Sequence, residues 1–316
     1  MKPSISFLIA SYNVENFLTK SVSSVLRQKN PRCDLEVIIV DNKSTDNTFK
    51  VAKELQSENP NIIKAFQNPE NRGIAYSINR CWEKSKSEFT ILLHSDNELL
   101  DGALNLFLDY IESGNYQHGI VFGDIVYIDV CDKVIGSWSG EHLGAGHLSN
   151  KHLIENYIDK NGSRVRPLQF LLDRKSFEEI GPYSEDYFCD DWEFTIRYLC
   201  HTDIHRINAP LFKFRDRPDS AGHKPETYAD SLMDVIEEHE HLLYEKFNLS
   251  PKTIYTNTLC RIIIMFIHKY ENKIALKKFF FYKKKYLYKI KTSEVVVFFL
   301  LVYTKLQLKR LLRLTH

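Results

Sequence analysis

The chain has 316 residues, with 42 Lys and Arg against 41 Asp and Glu, 43% hydrophobic residues and 26% charged ones. That is ordinary composition for one large globular domain or two average ones, and it excludes global disorder. With 12 Gly and 10 Pro, collagen-like and low-complexity chains are excluded too. The six Cys form no CxxC pair, which argues against zinc ribbons and thioredoxin-like sites and predicts buried thiols in a reducing compartment. Met1-Lys2-Pro3-Ser4 leads into an apolar run too short for a signal peptide, and no stretch reaches the ~18 apolar residues of a transmembrane helix.

The first half alternates strand and helix. Residues 5–10 are a short apolar strand ending at Ser11-Tyr12-Asn13. A helix follows with Leu18, Val22, Val25 and Leu26 on one face. Glu36-Val37-Ile38-Ile39-Val40 is a β-branched strand expected to be buried on both faces. It stops at residues 41–46, which are turn formers and caps for a helix running to about Ser57. Residues 64–66 are a weaker strand. A loop over 68–73 precedes a helix expected to turn Ile74, Ile78, Cys81 and Trp82 inward. Residues 90–93 are a further buried strand, ended by His94-Ser95-Asp96-Asn97-Glu98. Strands alternating with helices predict βαβ units and a mostly parallel sheet. The polar loops at 11–13, 41–46 and 94–98 then lie on one edge, beyond the carboxyl ends of the strands, where such sheets bind ligands. No GxGxxG or GxxxxGK[ST] is present, which lowers dinucleotide and P-loop readings.

From 119 the pattern changes. Residues 121–128 and 133–136 predict a hairpin, and 137–166 are polar and give no clear element. An apolar run over 168–172, a helix from Lys175, the turn Gly181-Pro182 and a helix opened by Asp190-Asp191-Trp192-Glu193-Phe194 follow. Past about 225 the chain reads as helical. These shifts predict a first domain over 1–225 and a helical region over 226–316.

Few residues carry chemistry by themselves. A strand-end carboxylate such as Asp96 either caps its loop or holds Mg²⁺ or Mn²⁺ through oxygen. Asp41 either caps the turn at 44–48 or accepts from a base or ribose. Asp190 and Asp191 at a helix start either favour the dipole or supply a general base. Arg215, Arg217 and Ser220 lie in a polar loop that is either simply solvated or binds a diphosphate. Histidines 94, 118, 142, 147, 152, 201, 205 and 223 show no HExxH or HxH spacing.

Taken together, residues 1 to about 220 resemble the family 2 glycosyltransferases of the GT-A fold. The resemblance rests on residues 4–15, on residues 36–48, on Asn71-Arg72-Gly73, on residues 92–97 and on residues 190–197, all in the family's order. It implies an α/β fold, a mostly parallel sheet flanked by helices, carrying a C-terminal helical and basic extension. It implies nucleotide-sugar contacts from Ser11, Tyr12, Glu15, Asp41, Asn42, Arg72, Gly73, Ser95, Asp96, Asp190, Arg215, Arg217 and Ser220. Asp96 holds a divalent cation, Mn²⁺ or Mg²⁺, on the diphosphate in that reading, and Asp191 is the general base of an inverting transfer. A UDP-sugar is the expected donor, and a glycan or lipid-linked hydroxyl of surface polysaccharide synthesis is the expected acceptor. The chain departs from the family at His94 and Asn97, where acids are common, and at Asp190, which replaces Glu. His94 and Asn97 keep open a non-catalytic, membrane-associated assembly partner. A nucleotidyltransferase would need a Gly-rich triphosphate loop, and residues 1–30 contain no Gly.

The net charge of +1 hides an asymmetry. Residues 269–313 carry thirteen Lys and Arg against Glu271 and Glu294, a net of +11, so the rest of the chain stands at −10. Aromatic residues interleave with these lysines, and Val295 to Tyr303 is apolar but too short to span a bilayer. An amphipathic segment on an anionic membrane surface has this composition. The expectation is a cytoplasmic protein peripheral on the inner face of the membrane. A helix pair packed on the catalytic domain is the alternative, and no nucleic-acid motif supports a nucleic-acid partner.

Overall fold

The structure is a computed structural model and describes residues 2–159, 169–218, 225–269, 277, 280–282, 284–286 and 289–296. In the first half the elements are β1 (Ser4–Ser11), α1 (Leu18–Leu26), β2 (Asp34–Asp41), α2 (Thr48–Glu58), β3 (Ile63–Gln67) and α3 (Ile74–Lys84). Then come β4 (Phe89–Leu92), β5 (Glu98–Leu99), α4 (Ala103–Glu112), β6 (Ile120–Ile128) and β7 (Val134–Trp138). The chain continues with β8 (Gly146–Leu148), α5 (Asn150–Ile158), β9 (Leu171–Asp173), α6 (Arg174–Ile180), α7 (Asp190–His201), β10 (Ile204–Arg215), α8 (Pro225–Phe247) and α9 (Pro251–Lys269).

The chain divides into two compact units. The first comprises Met1–Asn150, Arg166–Asp186 and Glu193–Pro218, and the second Lys151–Val165, Tyr187–Trp192 and Asp219–His316. The expected division into 1–225 and 226–316 follows chain order alone. The units follow contacts, so two earlier segments, one carrying Asp190 and Asp191, group with the C-terminal helices.

Among the described residues, ten strands lie in the first unit, in the order β3-β2-β1-β4-β9-β6-β10-β5, with β7 beside β6 and β8 beside β10. The parallel arrangement holds for β3, β2, β1 and β4. Beyond β4 the pairing is mixed: β9 runs antiparallel to both β4 and β6, and β6 runs parallel to β10. Among the described residues, only β6 and β7 pair through a hairpin connection; β9 and β10 reach their partners through long connections. The β-branched run Val37–Val40 is fully buried, as central parallel strands demand. Fully burying an aliphatic side chain of this size stabilises by about 1.5–3 kcal/mol, so this strand anchors the sheet.

In α1, Leu18, Val22 and Val25 are buried on the face set by helical spacing. In α3, Ile78, Cys81 and Trp82 are buried, but Ile74 is 48% exposed. Ile74 is the first helical residue after Gly73, whose φ is +93°, so it belongs to the loop end of the helix rather than to its packed face. Five cysteines are buried free thiols; Cys131 departs from that expectation and is exposed at the tip of the β6–β7 hairpin. Among the described residues, 137–166 hold the end of β7, a short 3₁₀ turn, the three-residue β8 and the nine-residue α5, whose buried Leu153, Ile154, Tyr157 and Ile158 are a helical signal the sequence reading missed.

The second unit is helical. Trp192 packs between Tyr157, with ring centroids 4.2 Å apart, and Arg261, whose guanidinium lies 4.1 Å from the ring centroid. Tyr282 bonds to Asp230, Tyr286 to Glu237 at 2.8 Å, and Lys289 to Glu240 at 2.7 Å, so these tail residues pair with the acidic side of α8. Among the described residues, no helix is long and apolar enough to cross a membrane.

Candidate active site

Parallel register brings the three polar loops to one edge of the first unit. Ser11 stands opposite Asp41, and Leu93 N–H bonds to the Leu8 carbonyl at 3.0 Å, which places residues 94–97 beyond the same end of the sheet. Ligands of doubly wound sheets sit at such an edge because helix starts and unpaired loop groups gather there.

The loops after β1 and β2 are clipped together. Asn13, left-handed at φ 50°, donates its N–H to Ser44 Oγ at 3.0 Å and accepts from Thr45 N–H at 2.9 Å. The Glu15 carboxylate accepts from Asn47 N–H at 2.9 Å and from its amide at 2.7 Å. Glu15, expected at the nucleotide, therefore holds the start of α2. Asp46 accepts from the N–H groups of Thr48 and Glu15. Burial pushes the Asp46 carboxyl up, but those bonds together with the Thr48 hydroxyl outweigh it and leave the group below its usual range. Ser11 is buried beneath this clip, whereas Tyr12 is 43% exposed at the rim.

Asp41 is fully buried and accepts from Ser44 N–H at 3.1 Å, Ser44 Oγ at 2.5 Å and Gln67 Nε2 at 2.9 Å. It caps its turn, and the capping reading of the sequence is the one seen here. Asn42 organises the third loop. Its amide donates to Asn71 Oδ1 at 2.8 Å and the Gly73 carbonyl at 3.0 Å, and its oxygen accepts from Asn68 at 2.9 Å and Arg72 N–H at 3.2 Å. Arg72 pairs with Glu185 at 2.7 Å and lies 4.0 Å over the Tyr76 ring.

The loop after β4 is built from charges. His94 N–H donates to Gln169 Oε1 at 3.3 Å, and its carbonyl accepts from Asn97 N–H at 3.0 Å. Burial pushes the His94 imidazole below its usual pKa against the pull of the Asp96 charge, so the ring is neutral at pH 7. Ser95 is buried. Asp96 Oδ2 forms an ion pair with Arg217 Nε at 2.7 Å, both side chains being 15% exposed.

Arg215 departs from the expected diphosphate contact. Its side chain is fully buried, with Nε bonded to the Asp96 carbonyl at 2.9 Å and NH2 to Glu98 at 3.2 Å. NH1 bonds the Asp129 carbonyl at 2.8 Å and pairs with Asp132 at 2.6 Å. An arginine with every nitrogen so engaged is the keystone beneath the loop, not a ligand group above it. The sequence reading missed this, along with Phe17, whose ring lies 4.9 Å from the Arg215 guanidinium and 5.5 Å from that of Arg217. It also missed Lys20, which pairs with Asp132 at 2.5 Å. The only local signal was the alternation Arg215-Asp216-Arg217 after an apolar strand. Ser220 lies outside the described residues.

Magnesium-type ions take one or two carboxylates and complete their shell with phosphate oxygens and water. Asp96 offers one carboxylate, and the ring centroid of His94 lies 6.1 Å from that of Phe214. Among the described residues, no group of three or more His, Cys, Asp or Glu is gathered for a metal ion. The donor set therefore fits an open site that a diphosphate completes, and not a closed protein cage.

Asp190 and Asp191 open α7 in the second unit. Asp190 is buried, and the Trp192 stack fixes the turn that carries both. Cys189 N–H bonds Ser231 Oγ at 3.1 Å, anchoring the approach to that turn on α8. Burial, and then the charge of Asp191, hold the Tyr228 phenol well above its usual range. Tyr228 thus lies within the field of the expected base, a relation no motif announced.

Comparison with known proteins agrees with this architecture. The structure of S. aureus TarS 1-349 in complex with UDP-GlcNAc superposes with a TM-score of 0.60 at 15% identity, over 84% of this chain and 73% of that one. A likeness at that identity establishes the fold, which is the GT-A α/β architecture. The GalNAc(5)-diNAcBac-PP-undecaprenol beta-1,3-glucosyltransferase of Campylobacter jejuni is 30% identical over 186 residues, 59% of this chain and 56% of that protein. The dolichyl N-acetyl-alpha-D-glucosaminyl phosphate 3-beta-D-2,3-diacetamido-2,3-dideoxy-beta-D-glucuronosyltransferase of Methanococcus voltae is 36% identical over 89 residues, 28% of this chain and 27% of that protein. The chain spans about half the length, or less, of the curated relatives it matches. The profile described as Glycosyl transferase family 2 matches residues 6–181, more than half of the chain, and the chain belongs to that family.

Proposed function

We propose that this protein is an inverting glycosyltransferase that moves a sugar from a nucleotide-diphosphate donor, a UDP-sugar, to a hydroxyl of a glycan or lipid-linked acceptor. The observation that carries the reading is the gathering of Ser11, Asp41, Asn42 and Asp96 at the carboxyl ends of three parallel strands. The relatives named as acting on undecaprenol- and dolichyl-linked substrates support the acceptor class.

The nucleoside lies against Tyr12 and the loop at 71–73 in this reading, over the turn that the buried Asp41 caps. Tyr12 offers an exposed ring for stacking, and the clip through Asn13, Glu15 and Asn42 keeps these loops in place before the donor arrives, which lowers the ordering cost of binding. Asp96, with Arg217 beside it, lies at the diphosphate. A divalent cation, Mn²⁺ or Mg²⁺, would be held by Asp96 and neutralise charge developing on the leaving group. Asp191 takes the proton of the acceptor hydroxyl as its oxygen bonds to the anomeric carbon and the bond to the diphosphate breaks. A single displacement of this kind inverts the anomeric centre. The tail residues Phe280 and Phe281, 60% and 58% exposed, and the basic excess of 269–313 support docking on an anionic membrane surface at its inner face.

The test is Asp191→Asn, assayed for sugar transfer and for nucleotide binding. General-base loss predicts a fall in transfer of about 10²–10⁴-fold with nucleotide affinity unchanged. Transfer at the wild-type rate removes Asp191 from the role.

A further inference from the structure

Asp96 cannot serve a cation and Arg217 on equal terms. Arg217 Nε lies 2.7 Å from Asp96 Oδ2, and both side chains are only 15% exposed. The guanidinium is held over the Phe17 ring, 5.5 Å from its centroid, beside that of Arg215 at 4.9 Å. Arg215 in turn grips the Asp96 main chain through its carbonyl at 2.9 Å. The ion pair therefore sits on a loop whose main chain Arg215 holds. A divalent ion on either oxygen of Asp96 would stand a few ångströms from this guanidinium, and like charges so close in a half-buried site repel strongly. A diphosphate changes the balance, because it offers Arg217 a better anion than the carboxylate it gives up.

We infer that Arg217 is the resident counter-ion of Asp96, exchanged for the divalent cation as Arg217 passes to the diphosphate. The inference rests on the donor-site reading above and adds a rule to it: cation and Arg217 occupy Asp96 in mutual exclusion. The protein alone then binds metal weakly, and metal and nucleoside diphosphate bind with positive coupling. Couplings of this kind amount to about 5–150-fold in affinity.

The experiment measures Mn²⁺ binding by electron paramagnetic resonance, without nucleotide, on the full chain. Arg217→Gln is expected to bind Mn²⁺ about tenfold more tightly than wild type, within the range of such couplings. Arg217→Lys is expected to stay near wild type, and the double variant Asp96→Asn with Arg217→Gln to show no gain. A role of Arg217 confined to folding cannot raise metal affinity. Equal Mn²⁺ affinity in wild type and Arg217→Gln would overturn the inference. Should Arg217→Gln fail to fold, the Arg217 Nε–H resonance of wild type reports the same exchange. It is expected to shift when Mg²⁺ and UDP are added together and not with Mg²⁺ alone; an unmoved resonance in the bound state contradicts the exchange. UDP binding to wild type is measured in parallel. Its absence defeats the donor reading, while the Mn²⁺ comparison still decides whether Arg217 guards Asp96.

Discussion

The two sides of the strand-end rim are built from different chemistry. Around β1, β2 and α3 the loops are joined by hydrogen bonds in which Asn13, Glu15, Asn42 and Asp46 serve neighbouring main-chain N–H groups. Around β4 and β10 they are joined by ion pairs: Arg217 with Asp96, Arg215 with Glu98 and Asp132, Lys20 with Asp132. In the proposed reading the first arrangement shapes a surface for a neutral nucleoside and, being made of hydrogen bonds, changes little with salt. The second stores charge where the proposed diphosphate would lie, and it can be rearranged by a ligand that brings charge of its own. The difference suggests that the nucleoside side is preformed and that the diphosphate side is the one that adjusts.

The largest effect on this contrast is expected at its keystone. Arg215→Met keeps the apolar stem but leaves Glu98 and the loop carbonyls without their buried cation. Removing one partner of a buried ion pair costs about 3–5 kcal/mol. Urea unfolding is expected to show a loss of that order; a change below about 1 kcal/mol, the scale of surface pairs, would show that the charged side is ordinary surface.

A smaller effect is expected at Asn42→Ala, which removes four bonds from the loop at 68–73. Leaving buried donors and acceptors unmet costs about 1–3 kcal/mol. Nucleotide affinity should fall with stability, since the loop loses its preformed shape. Unchanged affinity at lower stability would place the nucleoside elsewhere.

The smallest effect is pH dependence. Burial pushes both His94 and His205 below their usual range. The unfolded chain then takes up these protons first as pH falls, so stability present at pH 7 is lost as pH drops through the ordinary histidine range near 6.5. In Asp173 the bonds from Ser176, Tyr116 and Gly119 outweigh burial and hold the carboxyl low, so a second loss follows below about pH 4. Melting temperatures between pH 7 and 5 should fall in wild type and stay level in His94→Gln with His205→Gln. A flat wild-type curve contradicts the assignment.

How much of this was legible in the sequence follows the same division. The strands and helices up to β4 were readable because each is a run of β-branched or periodic apolar residues, and their parallel order dictates that the polar loops share an edge. The clip between residues 13–15 and 44–48 joins segments 31 to 34 positions apart, close enough for one motif to contain both. The role of Arg215 was not readable, because its partners at Asp96, Asn97 and Glu98 lie 117 to 119 positions away. An arginine in a polar loop looks the same whether it binds a phosphate or supports a loop. Glu15 was assigned to the nucleotide for a similar reason: sequence places it on the loop but not which way its carboxylate turns. In residues 137–166 β8 is too short to show a period, while α5 buries Leu153, Ile154, Tyr157 and Ile158 at helical spacing, a signal the sequence reading passed over.

The measurement that tests the central claim most directly is calorimetric titration with UDP, GDP and CDP, each with and without Mn²⁺, on wild type and Asp96→Ala. The account predicts binding of one nucleoside diphosphate, strengthened by Mn²⁺, with the metal-dependent part lost in Asp96→Ala. Folded protein that binds none of the three, or an Asp96→Ala variant whose Mn²⁺ dependence equals that of wild type, would contradict it.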